Sequence, residues 1–396
     1  MGSQRLLCTG EGAPRNGNGT AAQKGTNVKP QDSLPPALPP RPAWTTAAVA
    51  SPETTRSAQM AKVFGYLKGL HASYLMDLGV RLGLFQRLAV ASEGLLPEAL
   101  ASDLGLEDLY VRFWCETACA LELLDYDPEA GYRLAPYMDE LLASPEATFY
   151  LGKFPPAHLL LARDYGRYAD LFRSGGVFPY QEHDNAFLQA VAEGLRTLPR
   201  MFLDGVLPKL PNLQASLEDG ARVLDVGCGG GYALVEFARR YSQVRCVGID
   251  VEPTSIRMAQ ELIAAESLGD RAEALLVGAE EPWPATFHQR FDLVTTFLVL
   301  HEVRPDLKDG FIKQCASALR PGGTLLLFDE RYPSSPAELR DPAQVYTVMA
   351  QWYEMTWGNI INTREEVHAL LDRHGLTPVD ETALSRFSIV TAQRQS

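Results

Sequence analysis

The stretch VLDVGCGGGYALVEFARR, residues 223–240, admits few folds. Val223, Leu224 and Val226 around Asp225 make a short apolar run that reads as a buried strand. Gly227, Gly229 and Gly231 follow at alternate positions, with Cys228 and Gly230 between them. Beyond them Leu234, Phe237 and Ala238 are spaced to share one face of a helix. Strand, glycine turn and helix in that order open a doubly wound, Rossmann-like α/β sheet. The glycines let the backbone turn tightly and come closer to a ligand than a Cβ would allow.

The flanking residues narrow the choice. The spacing is D-x-G-x-G-x-G, from Asp225 to Gly231, and not the G-x-G-x-x-G of dinucleotide folds. A second strand over residues 244–249 ends in Asp250, where a carboxylate can accept hydrogen bonds from both hydroxyls of a ribose. FDLVTTFLVLHEV (291–303) and LRPGGTLLLFDE (319–330) supply two further strands. These four pieces, in this order and spacing, resemble the class I S-adenosylmethionine-dependent methyltransferases, over about residues 216–396. The resemblance implies a seven-stranded sheet whose last hairpin, 377–381 with 387–392, is antiparallel. It also implies S-adenosyl-L-methionine as cofactor. On the same basis Gly227, Cys228, Gly229 and Gly231 face the aminocarboxypropyl arm, and Asp225 supports their loop. Asp250 takes the ribose, Val251 the adenine edge, and Phe297 joins them from the fourth strand. Many members carry an acidic residue after the third strand, where this chain reads LLVGAEEPWP. Ala279 or Glu280 stands in that place. Trp283 either stacks on adenine or lies on the surface beside two prolines.

A chain of 396 residues is long for one core and suggests two domains with appendages. The formal charge of −13 argues against a nucleic-acid partner held through phosphates. No run reaches the apolar length of a membrane span. The six cysteines have neither metal-ligand spacing nor a small secreted framework, so no metal site is expected and a reducing, cytoplasmic setting is.

Residues 1–58 are rich in Gly, Pro, Ala, Ser and Thr without apolar periodicity, which predicts disorder. PPALPPRP (35–42) favours polyproline II and holds a P-x-x-P-x-R spacing, either a stiff linker or an SH3 ligand. The excess of Lys and Arg here leaves organelle targeting open, and Met60 is a possible start of a shorter enzyme. From Ala61 the spacing predicts a long helix striped by Phe64, Leu67, Leu70, Leu75 and Leu78. A short helix (97–104), a longer one (107–124) and a hairpin through YDPEAGYRL follow. Residues 60–150 thus resemble the winged-helix domain that precedes the catalytic domain in many small-molecule O-methyltransferases and related bacterial enzymes. They hold six Lys/Arg against fourteen Asp/Glu, so the segment repels DNA. The resemblance implies a dimerisation domain, and a homodimer is expected.

Residues 151–215 form a helical bridge rich in aromatics, with His158 and His183 placed at the surface or in support of the site. Phe297, Leu298, Leu300 and His301 end the fourth strand, at the edge where doubly wound sheets bind ligands. VLHEVRPD resembles the L-H-D-W segment whose histidine deprotonates the acceptor in plant-type O-methyltransferases, with Glu302 at the aspartate position and Val303 replacing the tryptophan. His301 is therefore the candidate general base, its unperturbed pKa lying near neutrality. The alternative is that it only shapes the pocket. The dense aromatics of 346–357 either pack on the bridge or roof an apolar acceptor. The reading is methyl transfer to a small, largely apolar or aromatic molecule at oxygen. A nitrogen or carbon acceptor without a protein base, or a cofactor-binding regulator, are the alternatives.

Overall fold

A computed structural model describes residues 53–395 apart from Ser385. The expectations for the polyproline segment and most of the N-terminal extension lie outside the described residues. The first helix, α1 (Arg56–Arg81), begins ahead of the expected boundary because Thr55 caps it, its Oγ1 accepting the Ala58 N–H at 3.1 Å. Helices α2 (Leu84–Val90), α3 (Pro97–Leu104) and α4 (Asp108–Ala120) follow. A hairpin then pairs β1 (Leu124–Asp127) with β2 (Gly131–Leu134). Its turn forms where Asp127 Oδ1 accepts the N–H groups of Glu129 and Ala130. These elements share a core around Phe85 and Trp114, whose rings meet edge to face at 5.2 Å. Among the described residues the outer stripe of α1 has no such partner: Phe64 and Leu67 are 63% and 52% exposed.

Five helices make the bridge: α5 (Phe154–Leu161), α6 (Tyr168–Ser174), α7 (Asn185–Leu195), α8 (Leu198–Gly205) and α9 (Pro211–Glu218). The sheet follows, from β3 (Arg222–Val226), β4 (Arg245–Asp250), β5 (Ala272–Leu276), β6 (Phe291–Phe297), β7 (Leu319–Glu330), β8 (Leu376–Leu384) and β9 (Phe387–Arg394). Their order is β5-β4-β3-β6-β7-β9-β8. The first five run parallel, while β9 is antiparallel to both β7 and β8, as expected for the last hairpin. Helices α10 (Tyr232–Arg240), α11 (Pro253–Ala265), α12 (Lys308–Ala318), α13 (Val345–Trp357) and α14 (Arg364–Arg373) complete the domain.

Alternation along the strands builds two cores. Val223, Leu293 and Leu326 lie in one, Leu224, Val294 and Leu325 in the other. β3 has β4 on one side and β6 on the other, so the chain order reverses there and opens a crevice at the carboxyl ends of these strands. Among the described residues no helix is long and apolar enough to cross a membrane.

Candidate active site

The glycine loop is built for close approach. Gly227 turns with φ 68°, and a Cβ there would lie 2.5 Å from Val299 Cγ2. Only glycine lets the turn after β6 rest on this loop. The N–H groups of Gly227 and Cys228 both donate to the Ile249 carbonyl, at 2.8 and 3.0 Å, and bind the loop to β4. Gly229, at φ 50°, donates its N–H to Asp250 Oδ2 at 2.8 Å. A Cβ on Gly229 would meet nothing within 4 Å, so open space lies above it. Gly231, at φ 79°, starts α10.

Asp250 Oδ1 accepts the Glu252 N–H at 2.9 Å. Each Asp250 oxygen takes one backbone donor and keeps capacity for another, which suits the two hydroxyls of a ribose. Burial pushes its carboxyl up, and these N–H groups pull it back. Val251 follows at 41% exposure. An open space over Gly229 beside a carboxylate fixed by backbone donors fits an adenosyl group. Asp225 is buried beneath the loop, accepts Thr295 Oγ1–H at 2.7 Å, and so ties β3 to β6; burial pushes it up to about 7.

The third-strand residues lie at the rim. Ala279 and Glu280 are exposed, and Glu280 pairs with Arg304 at 3.3 Å. Glu281 folds back to accept the Gly278 N–H at 3.3 Å. Trp283 is half-buried, edge-on to Phe311. Phe297 packs between Phe202 and Phe328, with centroids at 5.9 and 5.4 Å.

His301 lies beyond the fourth strand and not within it. β6 stops at Phe297 because Leu298 takes left-handed backbone, φ 59°, though its N–H still reaches the Phe328 carbonyl at 2.8 Å. The turn that follows brings His301 against the end of β7. Its Nδ1 lies 2.5 Å from Asp329 Oδ1, and its main-chain N–H donates to Asp329 Oδ2 at 3.1 Å. Across the ring, Nε2 faces Glu354 Oε1 of α13 at 3.8 Å. Burial lowers the imidazole pKa, but the charge and hydrogen bond of Asp329 outweigh it, and His301 is raised to about 10. An imidazole poised near neutrality gives way to one held as imidazolium. Burial raises Glu354 to about 7 and Glu302 to about 8, with His301 opposing both. Glu302, next to His301 in the chain, has an exposed surface.

Sequence reading missed Asp329, Glu354 and Tyr180. The acidic pair that ends LRPGGTLLLFDE was the available signal for Asp329. Tyr180 of the bridge lies near these acids: its hydroxyl is pushed well above its usual value by burial, then by Glu302, Asp250 and Glu354. α13 turns a polar face inward, with Thr347, Gln351 and Glu354 buried, and leaves Met349 and Trp352 exposed. A separate recess of about 630 Å³, lined by Arg222, Arg245 and Arg290, opens at the amino ends of the strands. That is the edge opposite to where such sheets bind ligands.

A doubly wound sheet with a glycine loop, a carboxylate after its second strand and a buried His–Asp pair at its carboxyl edge defines a nucleoside-binding enzyme. Comparison with known proteins narrows this class. A family profile described as a methyltransferase domain matches residues 223–323. An uncharacterized methyltransferase of Synechocystis is 32% identical over 172 residues, covering 43% of this chain and 74% of that protein. The chain therefore belongs to the methyltransferase family. A ubiquinone biosynthesis O-methyltransferase of Xanthomonas campestris is 37% identical over 109 residues; the match spans 27% of this chain and only 42% of that protein's length. Among solved structures, human N-acetylserotonin methyltransferase in complex with S-adenosylmethionine shares the fold with a TM-score of 0.68 at 17% identity, over 88% of this chain and all of that one. An O-methyltransferase family protein of Burkholderia thailandensis does so with a TM-score of 0.65 at 19% identity, over 87% of this chain and 99% of that one.

Proposed function

We propose that this chain moves the methyl group of S-adenosylmethionine to the hydroxyl oxygen of a small, largely apolar or aromatic molecule. The observation that carries the reading is the Asp329–His301 pair facing Glu354 on the same sheet edge as the glycine loop. When bound, the cofactor supplies an electrophilic methyl carbon whose neutral thioether leaving group needs no acid. The chain holds the cofactor through the 227–231 loop, Asp250 and Val251, with Ala279 at the rim. His301 and Glu354 then hold the acceptor hydroxyl and manage its proton. Incubating the protein with cofactor and a panel of phenols, catechols and aromatic amines, followed by mass spectrometry, tests this. Gain of one CH₂ at a hydroxyl supports it; gain at nitrogen alone overturns it.

The same reading makes residues 60–150 a winged-helix-like dimerisation domain. Support comes from the outer stripe of α1 and from Tyr110 and Phe113 of α4, 80% and 57% exposed, which form an apolar surface that a second copy would cover. The acidic balance of this segment speaks against a nucleic-acid partner. Free thiols at the five described cysteines agree with a cytoplasmic setting.

A further inference from the structure

We propose that the recess at the amino ends of the central strands binds a small organic phosphate, a monoester whose dianion sits among Arg222, Arg245 and Arg290.

The sheet register puts the charges there. β3 and β4 run parallel with Arg222 directly opposite Arg245. Their neighbours Val223 and Cys246 enter one core, so by alternation both arginines leave on the other face, that of Leu224, Phe287 and Phe291. Arg290 reaches the same recess from the residue before β6, the strand on the other flank of β3. Like charges set directly opposite each other in a sheet destabilise it. Among the described residues none of these three arginines forms an ion pair that would offset the repulsion. The nearby acids are turned to other work. Asp292 accepts the Arg222 main-chain N–H at 2.7 Å and pairs with Arg320. Asp270 offers Arg245 its main-chain carbonyl, 2.7 Å from Nη1, and not its carboxylate. Arg271 also lines the recess, where its Nη1 donates to the Ala238 and Tyr241 carbonyls at 2.6 and 3.3 Å. The lining thus sets these four arginines against Asp270 and Glu273, a local excess of positive charge on a chain whose net charge is −13.

Chemistry and volume select the ligand. A guanidinium fork takes phosphate or carboxylate oxygens two at a time. Three forks offer more donors than the two oxygens of one carboxylate can use, whereas a phosphate monoester presents three terminal oxygens. The recess of about 630 Å³ falls in the range that holds drug-sized organic ligands, so it has room for more than a bare phosphate. Val247, Phe287 and Phe291 give it an apolar floor for the organic part of the ester. The recess is distinct from the cofactor site. β4 carries the chain from Arg245 at the recess to Asp250 at the glycine loop, a span of about 16 Å at ~3.3 Å per residue.

Calorimetric titration of the full chain with phenyl phosphate tests the assignment, with S-adenosylhomocysteine saturating to keep the probe out of the cofactor site. Phenyl phosphate should bind with a Kd below about 1 mM. Arg222→Gln and Arg290→Gln should each weaken it by roughly 10–100-fold, the loss expected for hydrogen bonds to a charged group. Inorganic phosphate should bind at least about 10-fold more weakly, because it leaves the apolar floor uncovered. Melting curves give a second readout. Without ligand, Arg222→Gln should melt at or above the parent, since it relieves the repulsion from Arg245. Phenyl phosphate should then raise the melting temperature of the parent and not that of the variant. A weaker Kd in the parent, or affinity that survives both substitutions, overturns the proposal. So does inorganic phosphate binding as tightly as the ester, or sodium sulfate stabilising the parent equally at matched ionic strength. Phosphatidylcholine vesicles containing phosphatidic acid carry the same monoester on a lipid. Capture of the chain by these vesicles without binding of phenyl phosphate would place the group on a headgroup and overturn the small-ligand assignment.

Discussion

His183 Nε2 lies 2.7 Å from Asp164 Oδ2, inside the helical bridge and not at the surface. The other ring nitrogen, Nδ1, lies 2.8 Å from the Tyr180 carbonyl, so both ring nitrogens face acceptors. The same Asp164 oxygen accepts the Trp357 indole N–H at 3.2 Å, and Phe187 stacks on the imidazole at 4.1 Å. One buried His–Asp contact thus joins Tyr180 to α13, which carries Glu354.

Removing one partner of such a pair strands the other. Asp164→Ala should destabilise the protein by about 1–3 kcal/mol, because the buried Trp357 indole N–H and His183 Nε2 lose their partner. Urea unfolding of the two proteins checks it. A loss under about 1 kcal/mol would place the pair among solvent-screened ones.

The sheet and its glycine loop were legible because strand period, glycine spacing and the carboxylate at Asp250 are local signals. Less legible was anything that depends on two distant segments meeting. The partner of Asp225 beneath the loop, Thr295, stands on a strand 70 residues away. His301 looked near neutral because its pKa is set by Asp329 and Glu354, neither of which is near it in sequence. Aromatics in 346–357 left packing on the bridge and an apolar lid open; Trp357 and Tyr353 do pack with Leu161, Phe187 and Leu188 of the bridge, and α13 also buries the polar Thr347, Gln351 and Glu354. On α1 the apolar stripe was read correctly as a pattern, and the described chain leaves its outer half uncovered.

Asp250→Ala should weaken S-adenosylhomocysteine binding by about 1.5–3 kcal/mol, the range for lost hydrogen bonds to a charged group. Part of that loss comes from the loop, because Gly229 and Glu252 each lose an acceptor. Calorimetric titration measures it, and an unchanged affinity removes Asp250 from the cofactor site.

Two glycines of one loop should fail differently. Gly227→Ala drives a Cβ against Val299 at a left-handed position, so it should lower the melting temperature strongly. Gly229→Ala meets open space; only its φ of 50° costs stability, about 1–2 kcal/mol, while the new methyl intrudes where the cofactor would lie. Melting curves with and without S-adenosylhomocysteine separate the two. Retained ligand stabilisation in Gly229→Ala would show that the space above it is not used.

The exposed stripe of α1 predicts an association defect without a folding defect. Leu67→Asp places a charge on a surface already 52% exposed in the single chain, so helix content and melting temperature of a monomer should hardly change. Sedimentation velocity should report a dimer for the parent and a monomer for the variant. A parent that sediments as a monomer at tens of micromolar would remove the case for dimerisation.

The buried acids and His301 set a direction for stability against pH. Asp225, Glu302 and Glu354 are raised to about 7, 8 and 7, so the fold favours their protonated forms. Their contribution is complete below the unfolded carboxyl values near pH 4, and it is lost as pH climbs through the raised ones. His301, raised to about 10, contributes fully below about 6.5 and loses that contribution on the way to 10. All four terms therefore pull the same way, and the urea midpoint should fall steadily from about pH 6 to about 9. Glu302→Gln cannot ionise and keeps the shape of the side chain. It should flatten the decline between about pH 7 and 9, leaving the values near pH 5 close to the parent's. Urea titrations of both proteins across this range measure the difference. A parent midpoint that rises toward pH 9, or a variant that declines just as steeply, would mean that Glu302 is not a source of the decline.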